Sequence, residues 1–344
     1  MKKLLENFLE LDLQINLIAL QTAILGGVLA TVYYFTSYNS GVMAAIMGLL
    51  TNSLMLTQNY HGHNSTQRLF FGLVFSFVCS VMFALATIVS SSIIHSTLII
   101  VLLIPLLSIL SSHQLLKSFA FYLAYAFILG LGFSASSYLL AIKYGLFFGF
   151  GCLLLVSGGF IRLWLRKKLF HANESVDFVK YKLISYPKKR EAIFILILTI
   201  TVVFGNLISF LLHLSHGYWL PLTALLVMKN EHQITLKRVL ERVIGTILGI
   251  IIAYAVLTKF SVLGLSLGIM VFFYLSIITL NKHYVAFCTS ITLLVMDILF
   301  LAGEEKGILK TRLLETVIGV IVVVLASLVV KIWIDKVELK KNEN

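Results

Sequence analysis

Residues 216–249 read HGYWLPLTALLVMKNEHQITLKRVLERVIGTILG. This stretch joins two apolar segments through a short basic turn, and a Trp-x-Pro sequence opens the first segment. The second segment opens with Arg242 and carries several small residues. Two neighbouring apolar segments whose charges are confined to the turn between them are typical of a helical hairpin in a membrane.

The composition of the whole chain agrees with a lipid environment. Of the 344 residues, 59% are hydrophobic and 12% are charged, whereas about a quarter of the residues of a soluble domain are charged. Residues 13–67 contain no Asp, Glu, Lys or Arg, and about 20 apolar residues suffice for one helical span. Runs such as 193–203 are apolar on nearly every face, which disfavours a porin-like barrel with its alternating pattern. We therefore predict an all-α integral membrane protein.

Apolar segments bounded by charges, Gly, Pro or Asn/Ser clusters predict about twelve transmembrane helices, six in each half. They are residues 15–35, 41–57, 69–90, 97–110, 119–140, 145–164, 192–212, 218–228, 243–257, 262–280, 284–302 and 313–330. The halves resemble one another in layout, because Arg68 and Arg242 each follow a polar turn and each open a span with an early glycine. This predicts two parallel repeats related by an axis along the membrane normal. The predicted units are a first repeat, a basic linker, a second repeat and a tail: residues 1–165, 166–190, 191–335 and 336–344.

The positions of the basic residues predict the orientation. Nine Lys or Arg and two acids lie from Arg162 to Arg190, and loops rich in Lys and Arg remain in the cytoplasm. With both termini and the linker cytoplasmic, only five of the 27 basic residues fall outside: Lys143, Lys259, Lys306, Lys310 and Arg312. The prediction is a multi-pass protein of the plasma or inner membrane. Anionic lipid headgroups account for the net charge of +12, so nucleic acid is not expected as a partner. The linker is either a basic helix on the membrane surface or a plain tether.

The motif in the opening stretch resembles that of a known family. Tyr218-Trp219-Leu-Pro221-Leu-Thr223, then Thr235-Leu-Lys-Arg238, then Arg242-Val-Ile-Gly245-Thr246-Ile-Leu-Gly249 closely resembles the signature of the fusaric-acid-resistance-like (FUSC) family. That family includes bacterial aromatic-acid efflux proteins and is related to the aluminium-activated malate transporters of plants. The resemblance implies a membrane transport protein for organic, often aromatic, anions. The chain departs from many bacterial members, which carry a large cytoplasmic domain where this sequence has a short basic linker.

The segment that Pro221 opens is unusually short. Proline is tolerated in the first turn of a helix, where its missing N–H would be unpaired anyway. Residues 218–228 provide only eleven positions before Lys229, too few to cross a bilayer at about 1.5 Å per residue. Either the span is broken here, or its helix continues through Glu231 into the cytoplasm. A broken span would indicate a transport site.

Arg238 and Arg242 are four residues apart, so on a helix they share one face. Two guanidinium groups at a helix start suit a carboxylate substrate, although the two arginines could instead pair with Glu241 or with lipid headgroups. Gly245 and Gly249 form a Gly-x-x-x-Gly ridge, which predicts close helix packing. The candidate substrate path comprises the polar and aromatic motif residues and the first-half counterpart of Arg242: Trp219, Pro221, Thr223, Arg238, Arg242, Thr246 and Arg68.

Two acids lie in later apolar segments, where an unpaired charge is costly. Asp297 has no local partner and is therefore the candidate proton-coupling carboxylate. Glu315 follows Arg312 by three residues, which predicts an ion pair at the outer interface. The histidines, including the pairs His61/His63 and His213/His216, form no ligand set, and no nucleotide-binding or hydrolase motif is present. No metal, cofactor or enzymatic activity is predicted.

Together these features predict a secondary transporter that exports small organic anions, aromatic acids among them, with proton coupling as one option. A passive anion channel and a non-transporting membrane subunit of an envelope complex are the alternatives. Expected partners are the lipid bilayer and the anion, with a second copy of the chain or an accessory subunit left open. A buried cavity between the halves, lined by Arg242 and Asp297, would favour transport over the structural role.

Overall fold

A computed structural model describes residues 2–36, 40–58, 65–111, 116–170, 189–214, 216–229, 231–256, 261–301 and 307–342. The elements in these ranges are all α-helices, which confirms the predicted all-α fold. They are α1 (Lys2–Phe35), α2 (Ser40–Gln58), α3 (Ser65–Val89), α4 (Ile93–Ser111), α5 (Lys117–Gly130), α6 (Tyr138–Phe170), α7 (Lys189–Leu211), α8 (Trp219–Val227), α9 (His232–Val256), α10 (Val262–Thr279), α11 (Tyr284–Leu301) and α12 (Gly307–Asn342). The linker residues 171–188 and the loop that holds His61 and His63 lie outside the described residues.

The helices follow the predicted segments, with two instructive differences. The fifth predicted span continues to residue 140, but α5 ends at Gly130 and residues 131–137 are not helical. Gly132 packs against the ring of Tyr218, where a side chain would not fit, and the serines that follow favour turns over helix interiors. Conversely, α9 begins at His232, well before its predicted start at residue 243. Its first turns are charged but made of good helix formers.

Within the described residues, eight helices are long and apolar enough to cross a membrane: α1, α2, α3, α4, α6, α7, α11 and α12. The others fall short of that length or composition. The short helix α5 has 14 residues and α8 has nine, and α9 carries four charges within its first eleven residues. Large apolar side chains cover the outer surface of the bundle, with Phe77 and Leu102 each 73% exposed. Such a surface is stable in lipid and not in water.

The contacts between helices repeat from the first half (α1–α6) to the second half (α7–α12). In the first half α6 packs on α2 and α3, and in the second half α12 packs on the corresponding α8 and α9. Between the halves α1 contacts α10, and the equivalent pair α4 and α7 is also in contact. Each of these two interfaces has a side-chain hydrogen bond: Tyr274 Oη donates to Asn16 Oδ1 at 3.2 Å, and Asn206 Nδ2 donates to Ser96 Oγ at 3.1 Å. This pairing supports the proposal of two six-helix repeats.

Helices α2 and α11 lie deepest in the bundle, and most of their residues are buried. Small residues let α2 and α6 approach closely, because a side chain at Gly48 would overlap the carbonyl of Phe148, and one at Gly151 would overlap that of Ala45. Asn52 of α2 also donates to the carbonyl of Cys152 at 2.8 Å. The second and fifth helices of each half, α2, α5, α8 and α11, thus form a central layer of the fold.

Candidate functional site

A cavity of about 190 Å³ lies between the two halves. Its walls come from the central helices α2, α5, α8 and α11, from the start of α9, and from the loops after α8 and α10. The lining residues are Leu54, Gln58, Phe121, Tyr122, Tyr125, Trp219, Leu226, Lys229, Arg238, Arg242, Leu280, Asn281, Tyr284, Phe287 and Ile291. The cavity extends from Gln58, Lys229 and Asn281, at the predicted cytoplasmic ends of their helices, to Trp219 at the start of α8.

Three basic side chains line this cavity, and none of its described lining residues is acidic. Arg242 is buried, with 1% of its surface exposed. Its guanidinium donates to Cys288 Sγ at 3.8 Å, and its Nε has no hydrogen-bond partner. No carboxylate among the described residues pairs with it; Glu241 instead lies 4.0 Å from Lys237 on the surface. The alternative pairing of Arg242 with Glu241 is therefore wrong.

Aromatic rings accompany two of the three basic groups, Arg238 and Lys229. The guanidinium carbon of Arg238 lies 4.1 Å from the ring centroid of Tyr284, and the ammonium of Lys229 lies 5.7 Å from that of Phe121. Such cation–π contacts hold a charge without neutralising it. The site can therefore offer positive charge to an anion and flat apolar surface to the rest of the same molecule.

The helix α8 ends before it could cross a bilayer. Its nine residues span only about 13 Å, and Met228 is extended, with a ψ of 133°. Thr235 of α9 holds the following loop, because its Oγ1 accepts from the backbone N–H of Lys229 at 3.0 Å and lies 3.1 Å from the carbonyl oxygen of Lys229. The alternative in which the helix runs on through Glu231 is wrong. The break places Lys229 in the cavity wall.

Lys229 lies in this loop, outside the membrane-spanning segments, and its burial lowers its pKa to about 8. The positive charges of Arg238 and Lys117 are smaller contributions to the same lowered pKa. A bound anion favours the protonated form of the lysine. Protonation of Lys229 therefore supports anion binding below pH 8 and is lost as the pH rises through 8.

We expect anion affinity to fall as the pH rises from 7 to 9.5, because the cavity loses one of its three positive charges over this range. Lys229→Arg should remove the decline, since a guanidinium stays protonated throughout. Titration of benzoate binding against pH for wild type and variant measures the effect. Equal pH profiles for the two proteins would contradict it.

The structure brings together some of the predicted path residues and separates others. Trp219, Arg238 and Arg242 line the cavity. Pro221 packs beside Gly205 of α7, and Thr223 packs beside Gly319 of α12.

Four further candidate residues are not among those that line the described cavity wall. Thr246 is buried but is not among the lining residues. Arg68 lies in α3, and its side chain is outside the described part of the chain. Gly245 and Gly249 face α11, where a Cβ on Gly245 would stand 2.5 Å from Cys288 Cβ and one on Gly249 2.7 Å from Thr292 Cβ.

The two intramembrane acids differ from their predicted surroundings. Asp297 is fully buried against Gly268 of α10, and neither of its oxygens has a hydrogen-bond partner. It is not among the residues that line the cavity. Arg312 and Glu315 are also buried, with 2% and 1% exposed, and form no ion pair within 4.0 Å. The predicted interfacial pair is therefore wrong; the guanidinium of Arg312 stacks on Trp219 instead, 3.6 Å from the ring centroid.

The sequence did not predict several of the residues that line the cavity. Tyr122 and Tyr125 of α5 and Tyr284 of α11 contribute three phenol groups to the wall. A signal existed, because Tyr-Leu-Ala-Tyr-Ala-Phe from residue 122 is similar to Tyr-Val-Ala-Phe from residue 284, at the start of the fifth helix of each half. Among the described residues, no group of three or more His, Cys, Asp or Glu side chains is arranged to hold a metal ion.

These features define a class of protein. A bundle of apolar helices with a lipid-compatible surface and a basic, aromatic cavity at its centre is a multi-pass integral membrane protein with an internal polar site. Residues 194–326 match the family described as "Fusaric acid resistance protein-like". The second half of the chain thus carries a fusaric acid resistance protein-like membrane region, which confirms the resemblance indicated by the motif.

Two proteins of Escherichia coli (strain K12) are similar to this chain. "Uncharacterized protein YhfK" is 32% identical over 130 residues, which cover 36% of this chain and 18% of that protein. "Inner membrane protein YccS" is 32% identical over 128 residues, which cover 36% of this chain and 17% of that protein. The similarity therefore spans less than a fifth of either relative. No solved structure matches the chain.

Proposed function

We propose that the protein transports small organic anions across the inner membrane and that the cavity between its halves is the substrate site. Both termini lie in the cytoplasm in this proposal, so the cavity faces the cytoplasm and export is the direction of transport. Aromatic carboxylates are the preferred class of substrate.

The observation that carries the proposal is the unpaired charge of Arg242. Leaving a buried charge without a partner costs about 3–5 kcal/mol, and fold stability alone gives no reason to keep it. Arg242 is 1% exposed and lacks a carboxylate partner among the described residues. A substrate carboxylate would neutralise it and accept charge-assisted hydrogen bonds from it.

The size and wall of the cavity favour a single small molecule. An engineered apolar cavity of about 150 Å³ binds benzene, so about 190 Å³ holds one ring with a carboxylate or a short dicarboxylate. The rings of Tyr122, Tyr125 and Trp219 offer faces on which an aromatic substrate can stack. This combination favours an aromatic acid over an inorganic anion.

The helices around the cavity support transport rather than a purely structural role. Short or broken spans at the interface between repeats are typical of substrate sites in secondary transporters. The short helices α5 and α8 both line this cavity and contact one another across the two halves. A membrane subunit that moves no solute would have no use for a basic cavity at that interface.

A passive anion channel is the second candidate, and one observation favours it. The candidate coupling carboxylate Asp297 is absent from the cavity wall, and no described lining residue is acidic, so no carboxylate beside the substrate is available to carry a coupled proton. A channel needs only the basic path.

Flux measurements in proteoliposomes test the proposal. We expect labelled benzoate, and to a lesser degree succinate, to cross membranes that contain the protein faster than protein-free membranes. Stimulation by an imposed pH gradient would support coupled transport, whereas indifference to the gradient would support the channel. No flux of any aromatic or dicarboxylic acid in the panel would contradict the proposed function.

A further inference from the structure

Arg312 is a second buried arginine that forms no direct ion pair with a described carboxylate, and it lies outside the cavity described above. It is 2% exposed, and its Nε and Nη2 have no hydrogen-bond partner. Glu315, one helical turn further along α12, is 1% exposed; neither of its oxygens pairs with a described side chain, and the backbone of His216 is the polar group that acts on its carboxylate. Two opposite charges on one face of a helix normally pair, so keeping Arg312 and Glu315 apart costs free energy of folding.

Trp219 stands between this arginine and the cavity. Its side chain is 3% exposed and lines the cavity, while the guanidinium of Arg312 lies 3.6 Å from its ring centroid. Arg312 itself is not among the lining residues. The indole therefore contacts the cavity and Arg312 at once.

One positive and one negative side chain act on the charge of Arg312. Arg242 is close enough to repel it electrostatically, and Glu315 is the acid that offsets it. The phenols of Tyr125 and Tyr218 also lie near its charge, and Tyr125 is near Arg242 as well. An anion that passed from Arg242 to Arg312 would relieve the unpaired charge of each arginine in turn, and Tyr125 is placed to donate a hydrogen bond during the transfer.

We propose that Arg312 is a second anion-binding site, that the Trp219 side chain is the barrier between it and the cavity, and that Glu315 is a tethered carboxylate that competes with the substrate for Arg312. The inference rests on the proposed function and extends it to the step by which the anion leaves the cavity. Both sites take the same chemical class of ligand, a carboxylate.

The interaction energy between the Trp219 ring and the Arg312 guanidinium suits a barrier that opens and closes. A cation–π contact contributes about 0.5–2 kcal/mol, enough to keep the indole in place and little enough to be broken in each transport cycle. Glu315 is three residues from Arg312 on the same helix, so it can neutralise the guanidinium when the substrate has left. An arriving anion would then compete with Glu315 for the guanidinium.

The test separates binding in the cavity from passage through it. Arg312→Gln should leave benzoate affinity in detergent within about twofold of the wild-type value. It should lower benzoate flux in proteoliposomes by about tenfold or more, because the transported anion loses one charge-assisted hydrogen bond. Arg242→Met, by contrast, should lower both. Arg312→Lys keeps the charge and should restore part of the flux, and size-exclusion profiles establish that each variant is folded.

The barrier is tested by leakage of iodide, which is small and needs no specific site. Trp219→Ala should increase iodide leakage, while Phe287→Ala, which truncates another buried ring of the cavity wall, should not. Glu315→Gln should increase retention of benzoate by the protein, because the competing carboxylate is gone.

The outcomes distinguish this proposal from the function on which it rests. If neither the wild type nor any variant transported benzoate or succinate, the proposed function and the second site would both be overturned. Wild-type flux that Arg312→Gln leaves unchanged would overturn the second site alone, as would an equal loss of affinity in Arg312→Gln and Arg242→Met. Equal iodide leakage in Trp219→Ala and Phe287→Ala would overturn the barrier.

Discussion

Arg242→Met is expected to lower anion affinity and flux by roughly 10- to 100-fold, the effect of losing charge-assisted hydrogen bonds of about 1.5–3 kcal/mol. The same substitution should raise the melting temperature of the protein in detergent. Removing a buried charge that has no partner relieves its desolvation cost, and methionine fills a similar volume without strain. Lower activity together with a higher melting temperature is typical of a site that is kept for function at the expense of stability.

The matched control is Lys237→Met, on the same helix and of the same charge. Its side chain is 77% exposed and its contact is a surface pair with Glu241, so both flux and melting temperature should stay near the wild-type values. A lower melting temperature in Arg242→Met would mean that Arg242 holds the fold together, and the assignment of the anion site would then be wrong.

Gly245→Val is expected to be the most damaging single substitution near the cavity. A Cβ at this position would stand 2.5 Å from Cys288 Cβ and 2.7 Å from the carbonyl oxygen of Val285, so α9 and α11 would have to move apart. Overpacking of this kind costs about 1–3 kcal/mol or more, and here the obstacle includes backbone that cannot rotate away. Because α9 carries Arg238 and Arg242 while α11 carries Tyr284, we expect the melting temperature and benzoate affinity to fall together.

A second glycine that packs against a neighbouring helix provides the comparison. A Cβ at Gly319 of α12 would meet Thr223 at 3.3 Å, a distance that a small shift of the threonine relieves. Gly319→Ala should therefore melt within a few degrees of wild type and bind benzoate normally. If Gly245→Val behaved like Gly319→Ala, close packing of α9 on α11 would not be what holds the cavity in shape.

The sequence was sufficient to predict the helices and the basic character of the site, because both are local properties. Long apolar runs define helices without reference to the rest of the fold, and the spacing of Arg238 and Arg242 places them on one face of a helix wherever that helix lies. The exact ends of the helices could not be predicted as well. The end of α5 at Gly130 depends on the contact of Gly132 with Tyr218, which is 86 positions later in the sequence.

Partners in the tertiary structure could not be predicted for the buried charges. Arg312 and Glu315 have the spacing of an ion pair, yet the position of Trp219 on another helix gives Arg312 a different contact. Asp297 stood out because it lacked a neighbour of opposite charge in the sequence, but its position on α11 directs it at Gly268 of α10 and away from the cavity. Which face of a central helix meets the cavity is set by packing between the halves.

The shortness of α8 has an electrical consequence. In the proposed orientation, water and ions in the cavity extend the cytoplasmic potential inward as far as Trp219. The membrane voltage then falls mainly across the layer from Trp219 and Arg312 outward, rather than evenly over about 30 Å of hydrocarbon. One elementary charge carried through the whole field is worth about 2.3 kcal/mol per 100 mV, and most of this work acts on the anion as it passes the indole. Voltage would thus drive the exit step directly while leaving binding near Lys229 and Arg238 almost unaffected.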